Sequence, residues 1–221
     1  MSSPRKPGVR GPLQGAFTLY IFVALLVGYT IPAHATETDY LPDNTTWNGT
    51  SALADLAAGQ QLPVTLVNHL HWGDIDTRDV LFIIYPRISL HETQFLAFLR
   101  AGGHVLIADD FGSAAPLLTK LGIKRKPYTS PSTQRAAASS PRETQAFFAK
   151  NPALPIAIPA RQAHPFLVGV RRVVTNHPST FTSLLPSLLA INGEQKVLIA
   201  GRLGKGRFVA LSDPSVLINS M

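Results

Sequence analysis

The sequence predicts an α/β fold built on a mostly parallel, wound sheet that finishes in a C-terminal antiparallel hairpin. Short apolar runs alternate with amphipathic segments between residues 79 and 122, the pattern of parallel strands joined by crossover helices. Near the C-terminus two more apolar strands flank Leu203-Gly204-Lys205-Gly206, a glycine-containing hairpin loop. With 221 residues, 45% of them hydrophobic, the chain is long and apolar enough to bury one core.

The first 35 residues read as a targeting segment. Arg5, Lys6 and Arg10 are the only charges before Glu37, and an apolar run from Ala16 to Ile31 follows them. Ala33-His34-Ala35 has the small-x-small form that signal peptidase cuts, so a cleaved signal peptide fits. An uncleaved signal anchor fits as well, because counting from Leu13 brings the run close to the ~20 residues that span a bilayer, with Tyr20 and Tyr29 near the interfaces. In both cases the domain from residue 36 to 221 is expected outside the cytoplasm, with the membrane as a partner if the segment is uncleaved.

Beyond the leader, a helix is expected near Ser51 to Ala58 and a strand at Pro63–Val67. Asp79–Tyr85 is a continuous apolar run bounded by Pro86, as in a strand buried on both faces. Ser89 and Glu92 make a capping box for a helix carrying Phe95, Leu96, Phe98 and Leu99, and Gly102-Gly103 ends it. His104–Ala108 is the next strand, the turn Asp109–Ser113 closes it, and a helix from Ala114 to Leu121 stops at Gly122. Residues 123–142, rich in Pro and Ser, read as a flexible loop. Ser140-Pro141-Arg142-Glu143 opens a short helix with Phe147 and Phe148, and Phe166–Val174 reads as a strand. Lys196–Arg202 and Arg207–Leu211 form the hairpin, after which Asp213 caps a final turn with Pro214 at its first position.

Charge divides the domain. Residues 36–110 hold ten acids and three bases, net −7, whereas residues 111–221 hold fourteen bases and three acids, net +11; the leader's +3 completes the total of +7. Such a basic half suits anionic headgroups, but Lys120, Lys124, Arg125 and Lys126 end a helix and enter a loop, where cations are favoured by the helix dipole, and a solvated surface explains them. The bases are not interleaved with aromatic residues, and no nucleic-acid partner is expected.

The absence of cysteine excludes disulfides, thiolate metal sites and cysteine nucleophiles. Ligands of open wound sheets sit beyond the carboxyl ends of the parallel strands, so the candidate binding edge is Tyr85, Asp109, Asp110, Gly112 and Ser113. Two adjacent carboxylates can hold a hard cation with waters or accept hydrogen bonds from a sugar or amine, and Gly112 allows close backbone approach. The structural alternative is that one Asp caps the next helix while the other pairs with a base from the second half. Ser113 with His177 as base and Asp213 as orienting acid would make a hydrolase, yet no Gly-x-Ser-x-Gly elbow surrounds Ser113, which reads as a helix cap. His69 and His71 would supply two zinc ligands, but spacing gives no third, so a solvated strand end is preferred. Neither a metal nor a cofactor is assigned. Asn44-Thr45-Thr46 and Asn48-Gly49-Thr50 match the glycosylation sequon, and Lys205 between two glycines needs no ligand to explain it.

The phrases "DVLFIIYPRISLHETQFLAFLRAGGHVLIADDFGSAAPLLTKLGI" and "VLIAGRLGKGRFVALSDPSVLINSM" resemble an uncharacterised family of membrane-anchored proteins with a class I glutamine amidotransferase-like domain. That family is similar in turn to gliding-motility and ABC-transport auxiliary domains. The resemblance covers about residues 40 to 221 and implies a flavodoxin-like three-layer sandwich with no established reaction. Amidotransferases need a cysteine at a strand-to-helix turn, and here the turn Asp109–Ser113 has none, so the domain is read as degenerate. The resulting expectation is a non-catalytic extracytoplasmic domain binding a ligand or a membrane-complex protein partner. The alternative is a hydrolase or carbohydrate-active enzyme using the Asp109/Asp110 edge.

Overall fold

A computed structural model of the chain describes residues 19–22, 38–67, 69–128, 154–160, 164–176 and 178–221. In chain order the elements are β1 (Leu19–Phe22), α1 (Ser51–Gly59), β2 (Val64–Val67), β3 (Val80–Ile84), α2 (Glu92–Ala101), β4 (His104–Ala108) and α3 (Ala115–Lys120). There follow β5 (Lys124–Pro127), β6 (Ile156–Pro159), β7 (Val173–Val174), β8 (Ser179–Thr182), β9 (Ser187–Ile191), β10 (Gln195–Leu203) and β11 (Gly206–Leu211). All eleven strands form one sheet in the order β2-β1-β3-β4-β11-β10-β9-β6-β7, and β8, paired with β5, branches from β10.

This architecture corrects the flavodoxin-like three-layer sandwich. The molecule is mostly a mixed β-sheet curled into a half-barrel, with few helices. The strand–helix alternation holds up to Gly122, and β1 to β4 with β11 run parallel. Beyond Gly122 the chain offers short apolar or β-branched runs separated by Pro and Gly. Apart from the parallel pairing of β11 with β4, they pair antiparallel instead of carrying crossover helices.

Several elements sit where the sequence puts them: β3, α2 and β4 match within a residue or two, and the hairpin β10–β11 pairs Leu198 with Leu211 through Leu203 with Gly206. Others differ. The cap of α2 is His91, without a side-chain cap hydrogen bond, so the Ser89–Glu92 capping box does not form. Lys124–Pro127, inside the predicted loop, is strand β5, because its backbone has Ser179–Thr182 to pair with. The predicted strand Phe166–Val174 is a 3-10 turn at Pro165–Leu167 and only two strand residues, since Pro165 and the left-handed Gly169 interrupt it. The helix predicted after Ser140 and most of the predicted loop lie outside the described residues.

On one face of the sheet, Leu81 and Ile83 of β3, Val105 and Ile107 of β4 and Phe208 of β11 meet Phe95, Phe98 and Leu99 of α2 and Leu117 and Leu118 of α3. Phe95 and Leu99 have no exposed surface; each contributes on the order of 2–3 kcal/mol by leaving water. On β4 the alternate residues Leu106 and Ala108 join a second cluster with Leu188, Leu189, Leu198 and Leu211. The C-terminus closes back on the start of the domain. The Asn219 side chain bonds the carbonyls of Asn44 and Thr46 and the hydroxyl of Ser51, and accepts the Ala52 amide, while the Asn219 and Ser220 amides reach Gly49 and Trp47.

The hairpin tip is pinned to the end of α2. Lys205 donates its amide to Arg100 O at 3.2 Å and Arg207 to Gly103 O at 3.2 Å. A Cβ on Gly206 would lie 2.2 Å from Leu99 O and 2.5 Å from Gly103 O, so only glycine fits. Gly206→Ala is therefore expected to destabilise the protein by about 2–4 kcal/mol, measured as a lowered midpoint in urea; an unchanged midpoint would show that the tip is not seated on α2.

Candidate functional site

The parallel strands β3, β4 and β11 end side by side, and the ladder continues one step past them through Tyr85 N to Ala108 O at 2.8 Å and Asp109 N to Leu211 O at 2.9 Å. This register brings Tyr85, the pair Asp109-Asp110 and Asp213 to one edge of the sheet, the place where open sheets bind ligands.

The two adjacent aspartates do different things. Asp109 is fully buried and points back into the fold: it accepts the amides of Gly112 at 2.7 Å and Ala114 at 3.0 Å, and pairs with Arg125 of β5 at 2.5 Å. It thus takes both structural roles at once, helix-start acceptor and partner of a second-half base. Burial lifts its pKa to about 6, opposed by Arg125 and the two amides, which leaves it ionised at neutral pH. Gly112 serves this knot, since a Cβ there would meet Asp109 Oδ1 at 2.4 Å and Pro86 O at 2.8 Å, and its carbonyl accepts from Arg125. Ser113 does not cap α3, whose cap residue is Ala114. Its hydroxyl donates to Arg87 O at 3.0 Å and its amide to Pro86 O at 2.7 Å, which ties the turn to the end of β3.

Asp110 faces a different environment. It is 7% exposed and accepts the Phe111 amide at 2.7 Å and its own backbone amide. Burial, reinforced by the negative charge of Asp213, lifts its pKa to about 7. Asp213 is fully buried and accepts the amides of Asn176 at 2.5 Å and Ser215 at 3.0 Å; burial lifts it to about 6. Tyr40 and Tyr85 stack beside these acids with ring centres 4.8 Å apart and planes 26° apart, and Tyr40 shares a 3.3 Å hydrogen bond with Ser215 Oγ. Burial and Asp110 push both phenols upward, Tyr40 far above its ordinary range, so both stay protonated donors. Tyr40 and Tyr85 also hold left-handed backbones, φ 63° and 44°, a conformation that costs a non-glycine residue energy and clusters at functional sites.

Of the five residues proposed from sequence, then, Tyr85 and Asp110 share this cluster, while Asp109, Gly112 and Ser113 build the turn beneath it. Tyr40 and Ser215 carry no sequence signal for the site, and Asp213, considered in sequence both as a turn cap and as an orienting acid behind His177, fills the cap. His177 lies outside the described residues. Further along the same edge, the loops after β2 and β3 enclose a cavity of about 480 Å³ lined by His69, His71, Trp72 and His91 over Leu70 and Leu90. Among the described residues no three His, Cys, Asp or Glu side chains are arranged to hold a metal ion.

Two outcomes follow. Asp109→Ala, which strands the partly buried Arg125 and two amides, should cost about 3–5 kcal/mol, whereas Ser113→Ala should cost about 1 kcal/mol; equal losses in a urea titration would refute the division of roles. The raised pKa of Asp110 means that the folded state holds its proton more tightly than the unfolded state. The stability this adds is complete below about pH 4 and is lost as pH rises towards 7. Asp110→Asn is expected to raise the melting temperature at pH 8 and to flatten the pH 4–8 profile, and a lowered melting temperature at pH 8 would contradict the assignment.

Structural comparison places this fold among known ones. The chain is similar to a cytoplasmic protein from Salmonella typhimurium LT2, with 11% identity, TM-score 0.57 and coverage of 89% of this chain and 87% of that one. It is also similar to a putative ThuA-like protein from Bacteroides uniformis ATCC 8492, with 10% identity, TM-score 0.56 and coverage of 96% and 92%. A third likeness is to the exo-β-1,4-mannosidase Op5Man5 from Opitutaceae bacterium strain TAV5, at 13% identity and TM-score 0.52. It covers 93% of this chain, which spans only 33% of the mannosidase. At these identities the likeness is one of fold. No curated protein matches the sequence. The profile of one family does match, over residues 42–221, and the chain belongs to that family, the domain of unknown function DUF4350.

Proposed function

We propose that this chain is a non-catalytic, extracytoplasmic binding domain, an accessory of a membrane assembly, whose strand-end edge takes a small amine- or hydroxyl-bearing ligand. The observation that carries the reading is the pair of buried acids Asp110 and Asp213 beside two backbone-strained tyrosines. Such a pair weakens the fold through desolvation and like-charge repulsion, and a cationic or hydrogen-bond-donating ligand would offset both. An amine or sugar hydroxyl would find carboxylate acceptors at Asp110 and phenolic groups at Tyr40 and Tyr85.

The absence of catalysis is supported by chemistry. The sequence has no cysteine, and the Ser113 hydroxyl is committed to a backbone carbonyl. The extracytoplasmic placement is supported by the basic leader, the apolar run and Ala33-His34-Ala35. Attachment through an uncleaved leader is part of the proposal; among the described residues no helix is long and apolar enough to cross a membrane. The raised pKa of Asp110 favours a second reading, a hydrolase or carbohydrate-active enzyme with Asp110 as proton donor.

One experiment separates them. The wild type and Asp110→Asn are compared for melting-temperature shifts with polyamines, amino sugars and neutral oligosaccharides, and for hydrolysis of ester, amide and glycoside panels. Binding reads as a positive shift that falls at least tenfold in apparent affinity in Asp110→Asn, with no turnover in either protein. Turnover lost on substitution would establish the enzyme reading, and absence of both would remove the site.

A further inference from the structure

Strand β1 lies within the segment that carries the export features, and it occupies an interior position in the sheet. Leu19–Phe22 pairs in parallel with Val64–Val67 on one side and with Val80–Ile83 on the other, four residues in register with each. Among the described residues β2 has no other strand partner, so its place in the sheet depends entirely on β1. The rest of its support is the half-buried packing of Val64 and Val67 against the core; Thr65 and Leu66 are exposed, α1 buries only Ala57, and Leu56 and Leu62 face solvent at 64% and 45%. By contrast, β3 retains β4 on its far side and the packing of α2 below.

Membrane insertion, or loss of the leader once it is cut, and residence between β2 and β3 are mutually exclusive fates of one short segment. We infer that the gap between β2 and β3 is a strand-acceptor site, filled here by Leu19–Phe22 and open, when the leader is cut away or drawn into a bilayer, to an extended apolar strand of a partner polypeptide. Parallel main-chain hydrogen bonds along Val64–Val67 and Val80–Ile83 would hold the incoming strand, the bonding by which β-augmentation gains affinity. Four residues suffice for occupancy in this structure, so the recognised partner segment is short, uncharged and free of proline. This is independent of the ligand reading, which rests on side chains beyond the carboxyl ends of β3, β4 and β11 and not on the pairing of β2 with β3.

Hydrogen exchange on the full-length chain tests it. In the wild type the alternate amides of Val64–Val67 that point towards β1 are expected to be protected; in Ile21→Pro, which removes a strand amide, they should exchange at least tenfold faster while the ladder amides of β4 and β11 keep their protection. Unprotected Val64–Val67 in the wild type, or protection unmoved by Ile21→Pro, would overturn the inference and leave the segment a targeting signal only. Should Ile21→Pro fail to fold, a full-length chain with a protease site after Ala35 is folded first and then cut. The released leader is expected to co-elute with the domain and to be displaced by excess labelled peptide of residues 16–25, but not by the same peptide with proline at 21. Immediate loss of the leader without any change in β2 exchange would refute the acceptor site.

Discussion

The carboxylate of Asp109 joins pieces of chain that nothing else ties so closely. It leaves the end of β4, takes the amides that open α3, and meets the guanidinium of Arg125 on β5. Because β5 pairs with β8, and β8 with β10, this contact links the parallel half of the sheet to the antiparallel half at the point where the chain changes its style of folding. A carboxylate with no exposed surface is tolerable there only because three donors surround it. Gly112 and Ser113 make sense as parts of the same knot, one leaving room and the other fastening the turn to β3.

With that knot in place, the neighbouring acid acquires its character. The turn that aims Asp109 inward leaves Asp110, the next residue, at the sheet edge against Asp213 and the tyrosine stack. Two residues of identical chemistry thus divide into one whose charge is balanced by Arg125 and one whose charge is made costly by burial and by a like-charged neighbour. The charge asymmetry of the chain finds its use in similar structural pairings. Lys120 reaches Glu92 at 3.3 Å, and Lys196 donates to the carbonyls of Ser183 and Leu185, where it ties β10 to the loop after β8.

What the sequence disclosed follows from how local each signal is. The apolar runs at Val80–Ile84 and His104–Ala108 are buried on both faces and announce themselves, as do the glycines ending α2 and shaping the hairpin. The Asp-Asp turn was likewise visible as a strand end. What stayed hidden depends on distant pairing. Lys124–Pro127 is charged and contains proline, and becomes a strand only because Ser179–Thr182 arrives beside it. Leu188–Ile191 is too short to tell strand from helix until β10 fixes it. Tyr40 enters the site through a partner 175 residues away, Ser215, and no local pattern encodes such a contact. The overall class differs for the same reason: the parallel first half and the family resemblance imply a wound sandwich, whereas the second half holds more antiparallel strands than its local signals show.

The Asn219 clasp has a mechanical meaning. A single side chain gathers Asn44, Thr46, Ser51 and Ala52, and the adjoining amides add Gly49 and Trp47. Tension applied between the segment near Thr38 and the segment near Met221 is therefore borne first by a few hydrogen bonds at this junction, not by the ladders of β3, β4 and β11. Because Tyr40 lies two residues from Thr38 and bonds Ser215, a load that opens the clasp is passed directly to the tyrosine stack beside the strand-end acids.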